Sequence, residues 1–153
     1  MSRVYLDASV FVAHLNGNEK YSVAARSILR EGELNRIQIY TSYLSVAEVV
    51  KKRVQGLRRL SNEEEAISAL MDQPFVTYIA LETAVSTYSR YIVWDCGIQP
   101  RDAIHVASAI VSRCDLIYAI DGGVVGLSGR KTSRMQIPEI RFPEELGDPE
   151  LQL

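Results

Sequence analysis

The stretch Leu116-Ile117-Tyr118-Ala119-Ile120-Asp121 decides the fold class of this chain of 153 residues. Its first five residues form a continuous apolar run, which is typical of a strand buried on both faces of a parallel sheet. The run ends at an acidic residue. Arg3-Val4-Tyr5-Leu6, near the start of the chain, has the same strand-like character and ends at Asp7.

Segments with helical spacing of apolar residues separate the strand-like runs. The predicted strands are 3–6, 37–41, 75–79, 116–120 and, at an edge, 136–140. The predicted helices are 8–15, 20–34, 42–54, one capped by Asn62, 81–96 ended by Gly97, and 100–113 opened by Pro100. In the helix entered at Ser42, Tyr43, Val46 and Val50 lie on one apolar stripe. This alternation predicts a three-layer α/β/α sandwich with a mainly parallel central sheet.

The composition fits one globular domain. Apolar residues make up 47% of the chain and charged residues 24%, and a chain of this length buries roughly 70% of its unfolded surface. No apolar run approaches the ~18 residues of a membrane span. The first strand starts too close to Met1 for a signal peptide, which predicts a cytoplasmic protein without a membrane partner. Cys96 and Cys114 are interpreted as reduced and structural.

The charge is unevenly distributed along the chain. Residues 139–153 contain five acids and one arginine, whereas the rest of the chain is mildly basic. We therefore divide the chain into a domain, residues 1–141, and a short acidic tail, residues 142–153. One hypothesis is that the tail mimics phosphate and weakens nucleic-acid binding.

Four acids fall at junctions that a parallel sheet brings together. Asp7 and Asp121 close two strands, Glu48 lies on the helix after the second strand, and Asp102 lies in the first turn of the helix opened by Pro100. In such folds the functional site lies at the carboxyl ends of the strands, where the strand order switches. Four carboxylates gathered there repel one another, and their pKa values rise unless cations are present.

A hard cation such as Mg²⁺ resolves this repulsion, since it binds a few carboxylates, keeps several waters and completes its shell with phosphate oxygens. Each acid also has a simpler interpretation. Glu48 can pair with Lys52 on an exposed helix face. Asp102 can complement the helix dipole, Asp121 can be a turn residue, and Asp7 can cap the following helix.

The chain resembles PIN-domain proteins, and among them the VapC-like toxin ribonucleases of toxin–antitoxin pairs. The resemblance lies in four segments, of which the third is the most specific. They are Val4-Tyr5-Leu6-Asp7-Ala8-Ser9-Val10-Phe11, Ser42-Tyr43-Leu44-Ser45-Val46-Ala47-Glu48-Val49, Arg101-Asp102-Ala103-Ile104-His105-Val106-Ala107-Ser108-Ala109 and Tyr118-Ala119-Ile120-Asp121. The last segment departs from the family pattern, which usually has threonine where this chain has Ala119.

The resemblance implies a PIN-like fold and Mg²⁺- or Mn²⁺-dependent cleavage of RNA. The family's acidic positions correspond to Asp7, Glu48, Asp102 and Asp121, which the resemblance makes both catalytic and metal-binding residues. Ser9 corresponds to a small hydroxyl residue near the metal. The predicted partners are an RNA substrate, a cognate antitoxin protein and a second copy of the chain in a homodimer.

Two rival functions remain open at this stage. A non-catalytic PIN-fold module would bind RNA or protein, and the altered surroundings of Asp121 would favour it. A DNA nuclease is the other, since four acids do not select ribose over deoxyribose.

Histidine and basic residues near these acids have two interpretations each. His105 is interpreted as a buried, hydrogen-bonded histidine in preference to a general base. Two basic groups either contact phosphates or form solvated surfaces. They are Lys51, Lys52, Arg53, Arg58 and Arg59, and Arg130, Lys131 and Arg134.

Overall fold

The computed structural model describes residues 1–17, 20–50 and 61–147, with the backbone alone for residues 61 and 62. The strands are β1 (Arg3–Leu6), β2 (Gln38–Ser42), β3 (Val76–Ile79), β4 (Leu116–Tyr118) and β5 (Glu139–Arg141). The helices are α1 (Ala8–Leu15), α2 (Ser22–Glu33), α3 (Tyr43–Glu48), α4 (Ser61–Met71), α5 (Thr83–Cys96), α6 (Pro100–Val111) and α7 (Gly122–Val125).

The strands form one sheet in the order β3-β2-β1-β4-β5, with every pairing parallel. The order reverses at β1, which pairs with β2 on one side and with β4 on the other. Successive residues of β1 point to opposite faces of the sheet. Leu6 therefore packs with α1, α2 and α4, and Tyr5 packs with α5, α6 and α7. The predicted three-layer α/β fold with a parallel sheet is confirmed.

Two predicted helix boundaries are confirmed by their caps. The Ser42 hydroxyl accepts a hydrogen bond from Leu44 N at 3.0 Å and so starts α3. Gly97 ends α5 in the left-handed conformation with φ 70°, which glycine adopts without the penalty that a Cβ atom imposes. Pro100 occupies the start of α6, where its missing N–H leaves no helical acceptor unused.

The predicted helix 42–54 is wrong in its extent and in its buried face. α3 ends at Glu48, and Val49 leaves the helical conformation with ψ 77°. The β-branched residues here lower helix propensity. Tyr43, Val46 and Val50 are exposed, whereas Val49 is buried. The predicted Lys52 partner of Glu48 and the first basic group lie outside the described residues.

The starts of one helix and of the last strand also differ from prediction. α4 begins at Ser61, so Asn62 lies inside the helix, although Glu63 occupies the first turn as expected. The last strand starts at Glu139, because Gln136 instead forms an antiparallel bridge with Lys131. β5 is an edge strand as predicted.

Residues after the predicted domain boundary at 141 contact the rest of the protein. The Phe142 ring stacks on Tyr21, the residue before α2, with centroids 5.7 Å apart. Leu146 N donates to Ser27 Oγ at 2.8 Å. The division at 141 stays a prediction, but the first part of the predicted tail packs against α2. In the described ranges, none of the helices has the length and hydrophobicity that crossing a bilayer requires.

Gly32 of α2 allows the close approach of this helix to the sheet. A Cβ atom there would lie 2.3 Å from Ile39 Cδ1 and 3.2 Å from Phe75 Cδ2. We expect Gly32→Ala to lower the free energy of unfolding by about 1 kcal/mol, because overpacking outweighs the better helix propensity of alanine. Urea denaturation measures this change. Gly17→Ala is the control, because among the described residues beyond its chain neighbours no atom lies within 4 Å of its added methyl group. Equal stability of the two variants would contradict the prediction.

Candidate active site

The four predicted acids are placed around the carboxyl edge of the sheet, at the switch in strand order. Asp7 follows β1, and its backbone N–H donates to Tyr118 O of β4 at 3.0 Å. Asp121 follows β4 and precedes α7. Asp102 lies in the first turn of α6, and Glu48 is the last residue of α3. The topology therefore directs all four residues to the crevice where ligands bind in parallel α/β sheets.

Asp7 is fixed by the helix that follows it. Its Oδ2 accepts hydrogen bonds from Ser9 N at 3.1 Å and from Ser9 Oγ at 2.6 Å, so that it caps α1. Ser9 Oγ in turn accepts from Ile120 N at 3.2 Å and joins the ends of β1 and β4. The capping interpretation of Asp7 is therefore confirmed. Capping engages one carboxylate oxygen of Asp7. The other oxygen, Oδ1, lies 3.6 Å from His105 Nε2.

Glu48 is positioned through the start of α3. Thr41 Oγ1 donates to Leu6 O at 2.7 Å and lies 2.7 Å from Ser45 Oγ. These buried hydroxyl contacts tie the short helix to the end of β1. The Glu48 side chain remains 25% exposed at the surface of the crevice.

His105 connects Glu48 to the buried layer below the crevice. Its Nε2 lies 2.6 Å from Glu48 Oε1, and its Nδ1 lies 2.6 Å from Tyr5 Oη. His105 is 2% exposed and Tyr5 is fully buried. An ionised Glu48 only accepts hydrogen bonds, so Nε2 carries a hydrogen, and in the neutral ring Nδ1 accepts from the Tyr5 hydroxyl. The prediction of a buried, hydrogen-bonded His105 is confirmed.

Charge controls the titration of His105. Burial lowers its pKa, but the hydrogen bond to Glu48 and the negative charges of Asp7, Glu48 and Asp102 more than offset burial, and the pKa is raised overall. The imidazole is therefore a partial counter-ion for the carboxylates around it.

The carboxylates also act on one another. Burial raises the pKa of Asp102, and the negative charges of Asp7 and Asp121 raise it further. Arg101 and His105 oppose these effects only in part. This is the mutual repulsion expected of acids gathered at one edge, and it indicates negative charge that the surrounding residues do not fully balance.

Asp121 has a local structural role. Its Oδ1 accepts from Gly123 N at 2.7 Å and from Val124 N at 3.4 Å, and this caps the one-turn helix α7. The sequence interpretation of Asp121 as a turn residue missed this helix. A sequence signal was present in the aspartate itself, which is a preferred N-cap residue, although the two glycines after it disfavour a helix.

The residues fit a hard divalent cation by the chemistry of their donors, since all four are carboxylates and their shared charge is incompletely balanced. In the described part of the chain, no group of three or more His, Cys, Asp or Glu side chains has the arrangement of a metal site. Asp7 and Asp121 are held instead by capping hydrogen bonds, and Glu48 is held by His105. The pairing of His105 with Glu48 was not predicted. The sequence did indicate that His105 lies near the acids, because its position three residues after Asp102 places His105 and Asp102 on one face of a helix.

The family model of the PIN domain matches residues 4–123 of this chain. This span contains Asp7, Glu48, Asp102 and Asp121. No curated protein matches the sequence.

Solved structures similar to this chain include three from bacteria. A toxin–antitoxin complex from Klebsiella pneumoniae has 18% identity and a TM-score of 0.61, covering 94% of this chain and 99% of that chain. VapC20 from Mycobacterium tuberculosis, a toxin that cleaves the sarcin–ricin loop, has 16% identity and a TM-score of 0.61, covering 80% and 93%. VapBC2 from Rickettsia felis, bound to a DNA fragment from its promoter, has 15% identity and a TM-score of 0.59, covering 93% and 99%. At these identities the similarity establishes a shared fold.

Proposed function

This chain belongs to the PIN-domain family, and from that premise we propose that it is a Mg²⁺- or Mn²⁺-dependent endoribonuclease, the toxin of a cytoplasmic toxin–antitoxin pair. One observation carries the proposal: Asp7, Glu48, Asp102 and Asp121 are placed around the carboxyl edge of the sheet at the switch in strand order, where burial and the charges of Asp7 and Asp121 raise the pKa of Asp102. Like charges gathered at this position are costly in a protein and are typical of sites that bind a cation. The names of the similar structures, which include a sarcin–ricin loop cleaving toxin and toxin–antitoxin complexes, support the same class.

Asp7, Glu48, Asp102 and Asp121 would hold the cation. When bound, it would supply Lewis-acid activation of the attacking water and charge stabilisation of the leaving 3′ oxygen. The residues of the chain orient these ligands: Ser9 fixes Asp7 through two hydrogen bonds, and His105 fixes Glu48. The Ser9 hydroxyl is engaged with Asp7 and with the backbone of Ile120, so that it serves as a brace and not as a nucleophile.

Direct attack by water predicts the chemistry of the products. We expect cleavage of a mixed single-stranded RNA pool in Mg²⁺ or Mn²⁺ to leave 5′-phosphate and 3′-hydroxyl ends, and we expect a chelator to stop it. Ligation of the products and mass spectrometry identify the ends. A 2′,3′-cyclic phosphate would show that the 2′-hydroxyl is the nucleophile and would contradict this mechanism.

The control for this experiment is Glu33→Gln, which removes an exposed carboxylate at the end of α2. Glu33 is not one of the four acids proposed to hold the cation. It should cleave like the parent protein. A single-stranded DNA pool is tested in parallel, because equal cleavage of DNA would assign the protein to the nucleases that do not select ribose.

The hydrogen bonds of Asp121 favour a second candidate function, which is a non-catalytic PIN-fold module that binds RNA or protein. One of its oxygens is already engaged by two backbone amides of α7, which leaves fewer donors for a cation. Metal binding separates the two candidates. Isothermal titration showing no Mg²⁺ or Mn²⁺ binding, together with no cleavage, would favour the binding module.

The proposed partners follow from the proposed class. A cognate antitoxin would bind the protein, and two copies of the chain would form a homodimer. Light scattering of the purified protein measures the second of these directly.

A further inference from the structure

A cluster of arginine and aromatic side chains lies on α5 and on the loop after α7. We name it the arginine–aromatic surface and define it as Arg90, Tyr91, Trp94, Arg130 and Arg134. Trp94 follows Arg90 by four residues and Tyr91 by three, so both side chains neighbour Trp94 on the surface of α5. Trp94 is 64% exposed, which is unusual for the largest apolar side chain.

The guanidinium groups lie against the rings. Arg134 Cζ is 4.2 Å from the centroid of the Tyr91 ring and 5.7 Å from that of Trp94. Arg90 Cζ is 5.2 Å from the centroid of Trp94 and 5.8 Å from that of Tyr91. The two rings are 6.2 Å apart and tilted by 45°. Two guanidinium groups therefore lie against an indole that is itself largely exposed.

The loop that supplies Arg134 is ordered by its own hydrogen bonds. Thr132 Oγ1 accepts from Arg134 N and from Met135 N, each at 3.2 Å. Arg130 Nη2 donates to Asp95 O of α5 at 3.4 Å and holds the loop against the helix. The arginine–aromatic surface is thus formed in advance of any ligand, which reduces the entropy cost of binding.

The positive charge of the surface is not balanced by neighbouring acids. Among the described residues, no carboxylate forms an ion pair with Arg90, Arg130 or Arg134. Asp95, the acid adjacent to them on α5, has its Oδ2 buried. A ligand that brings both negative charge and flat rings complements this combination.

The surface adjoins the candidate active site. Trp94 and Arg90 line one side of an open groove of about 350 Å³, and Pro100 and Ile104 of α6 lie on the other. Pro100 and Ile104 lie two residues before and two residues after Asp102 in α6, a spacing that puts the groove and the carboxylate on different sides of this helix. A strand that crosses the carboxylates reaches the groove by passing around the N-terminal end of α6, a helix about 10–12 Å across with its side chains.

We propose that the arginine–aromatic surface binds unpaired bases of the RNA substrate beside the cleaved bond, with a base stacked on Trp94 and phosphates contacted by Arg90 and Arg134. This inference rests on the proposed ribonuclease function and extends it to substrate selection. Unpaired bases stack on aromatic and guanidinium planes, whereas paired bases in a duplex are not available for stacking. The surface therefore selects single-stranded or looped RNA.

Trp94 is the only tryptophan of the chain, so its fluorescence reports directly on this surface. The experiment titrates the Asp102→Asn protein with polyuridylate in the presence of a chelator, which prevents cleavage. We expect saturable quenching of the Trp94 emission by polyuridylate and much weaker quenching by duplex RNA.

Two substitutions test the two kinds of contact, and labelled polyuridylate measures their affinity by fluorescence anisotropy. Trp94→Leu should weaken binding by about tenfold, because it removes one stacked base. Arg134→Gln should reduce the slope of log K against log salt by about 0.7, because it removes one phosphate contact. The matched controls are Phe142→Leu and Arg30→Gln, which change an exposed ring and an exposed arginine on the opposite face of the sheet and should bind like the parent.

Three results would overturn the inference. They are RNA binding that leaves the Trp94 emission unchanged, equal quenching by duplex RNA, and an emission that depends on protein concentration without RNA, which would place a second copy of the chain on this surface. Cleavage by the protein with native Asp102 separates this inference from the proposed function. If the protein with native Asp102 cleaves RNA and Trp94→Leu leaves the KM for RNA unchanged, only the inference about the arginine–aromatic surface fails. If the protein with native Asp102 binds polyuridylate through Trp94 but cleaves no RNA, the ribonuclease proposal fails.

Discussion

The Asp102→Asn variant is expected to lose at least about 10³-fold in the rate of RNA cleavage, since a cation ligand supplies several kcal/mol of transition-state stabilisation. The same change is expected to make the protein slightly more stable. Burial and the charges of Asp7 and Asp121 raise the pKa of Asp102, so its ionised form costs free energy in the folded state. Solvent screening limits the gain to less than about 1 kcal/mol.

The gain in stability has a defined pH dependence. Because the folded-state pKa of Asp102 is raised, the cost of its charge is present at neutral pH and disappears as the pH falls below the ordinary aspartate value of about 3.9. The difference in free energy of unfolding between Asp102→Asn and the parent should therefore shrink toward zero in acid. Urea denaturation without divalent cations measures it.

Added Mg²⁺ gives an independent check of the same residue. It should stabilise the parent protein, because a ligand that binds only the folded state shifts unfolding by mass action. The effect should be reduced in Asp102→Asn and retained in Glu33→Gln. Retention of full cleavage activity by Asp102→Asn would contradict the proposed role of the acidic cluster.

The second large effect is expected for His105→Leu. Leucine cannot accept a hydrogen bond from the buried Tyr5 hydroxyl or donate one to Glu48, so two polar groups lose their partner. We expect the free energy of unfolding to fall by about 2–4 kcal/mol. We also expect kcat/KM for RNA to fall about 10- to 100-fold, since residues that orient metal ligands have effects of this size.

Two further variants distinguish positioning from simple loss of stability. His105→Gln retains a donor that can reach Glu48. Compared with His105→Leu, it should therefore recover more of kcat/KM than of the free energy of unfolding. Tyr5→Phe should destabilise the parent protein but have little effect in the His105→Leu background, because the hydroxyl that it removes is already unpaired there. Equal destabilisation by Tyr5→Phe in both backgrounds would contradict the hydrogen bond at 2.6 Å.

His105 also makes the parent protein relatively more stable at low pH than at high pH, here because the charged imidazole stabilises the folded state. Its folded-state pKa is raised, so the stability that its charge contributes is fully present below the unfolded value of about 6.5 and is lost as the pH rises through the folded value. The stability gap between the parent and His105→Leu should therefore narrow from pH 6 to pH 9.

Much of the fold follows from local pattern. The apolar run before Asp121 and the strand before Asp7 predict strands of a parallel sheet, because a sheet covered on both faces buries such runs. Gly97 and Pro100 predict the end of one helix and the start of the next through their backbone preferences alone. The placement of the acids at one edge then follows from topology.

Contacts between residues far apart in the sequence, and the extents of the short helices, could not be predicted from local pattern. The Glu48–His105 contact joins residues 57 positions apart, and the Tyr5–His105 contact joins residues 100 apart, and no local spacing encodes either. The extent of α3 was wrong because β-branched residues near its end oppose the helix that the apolar spacing favours. The short helix α7 depends on its cap at Asp121, which outweighs the turn preference of two glycines.

The central position of β1 determines when the crevice can form as the chain leaves the ribosome. β1 is synthesised first, yet its partner β4 ends at Tyr118 and the last candidate ligand is Asp121. Pairing across such a separation in sequence is slow, and domains fold as units only after their strands have emerged. A nascent chain therefore carries Asp7 and Glu48 long before it can bring them together with Asp121. The acidic crevice is consequently complete only once the chain through Asp121 has left the ribosome, and a chain interrupted before that residue cannot assemble it.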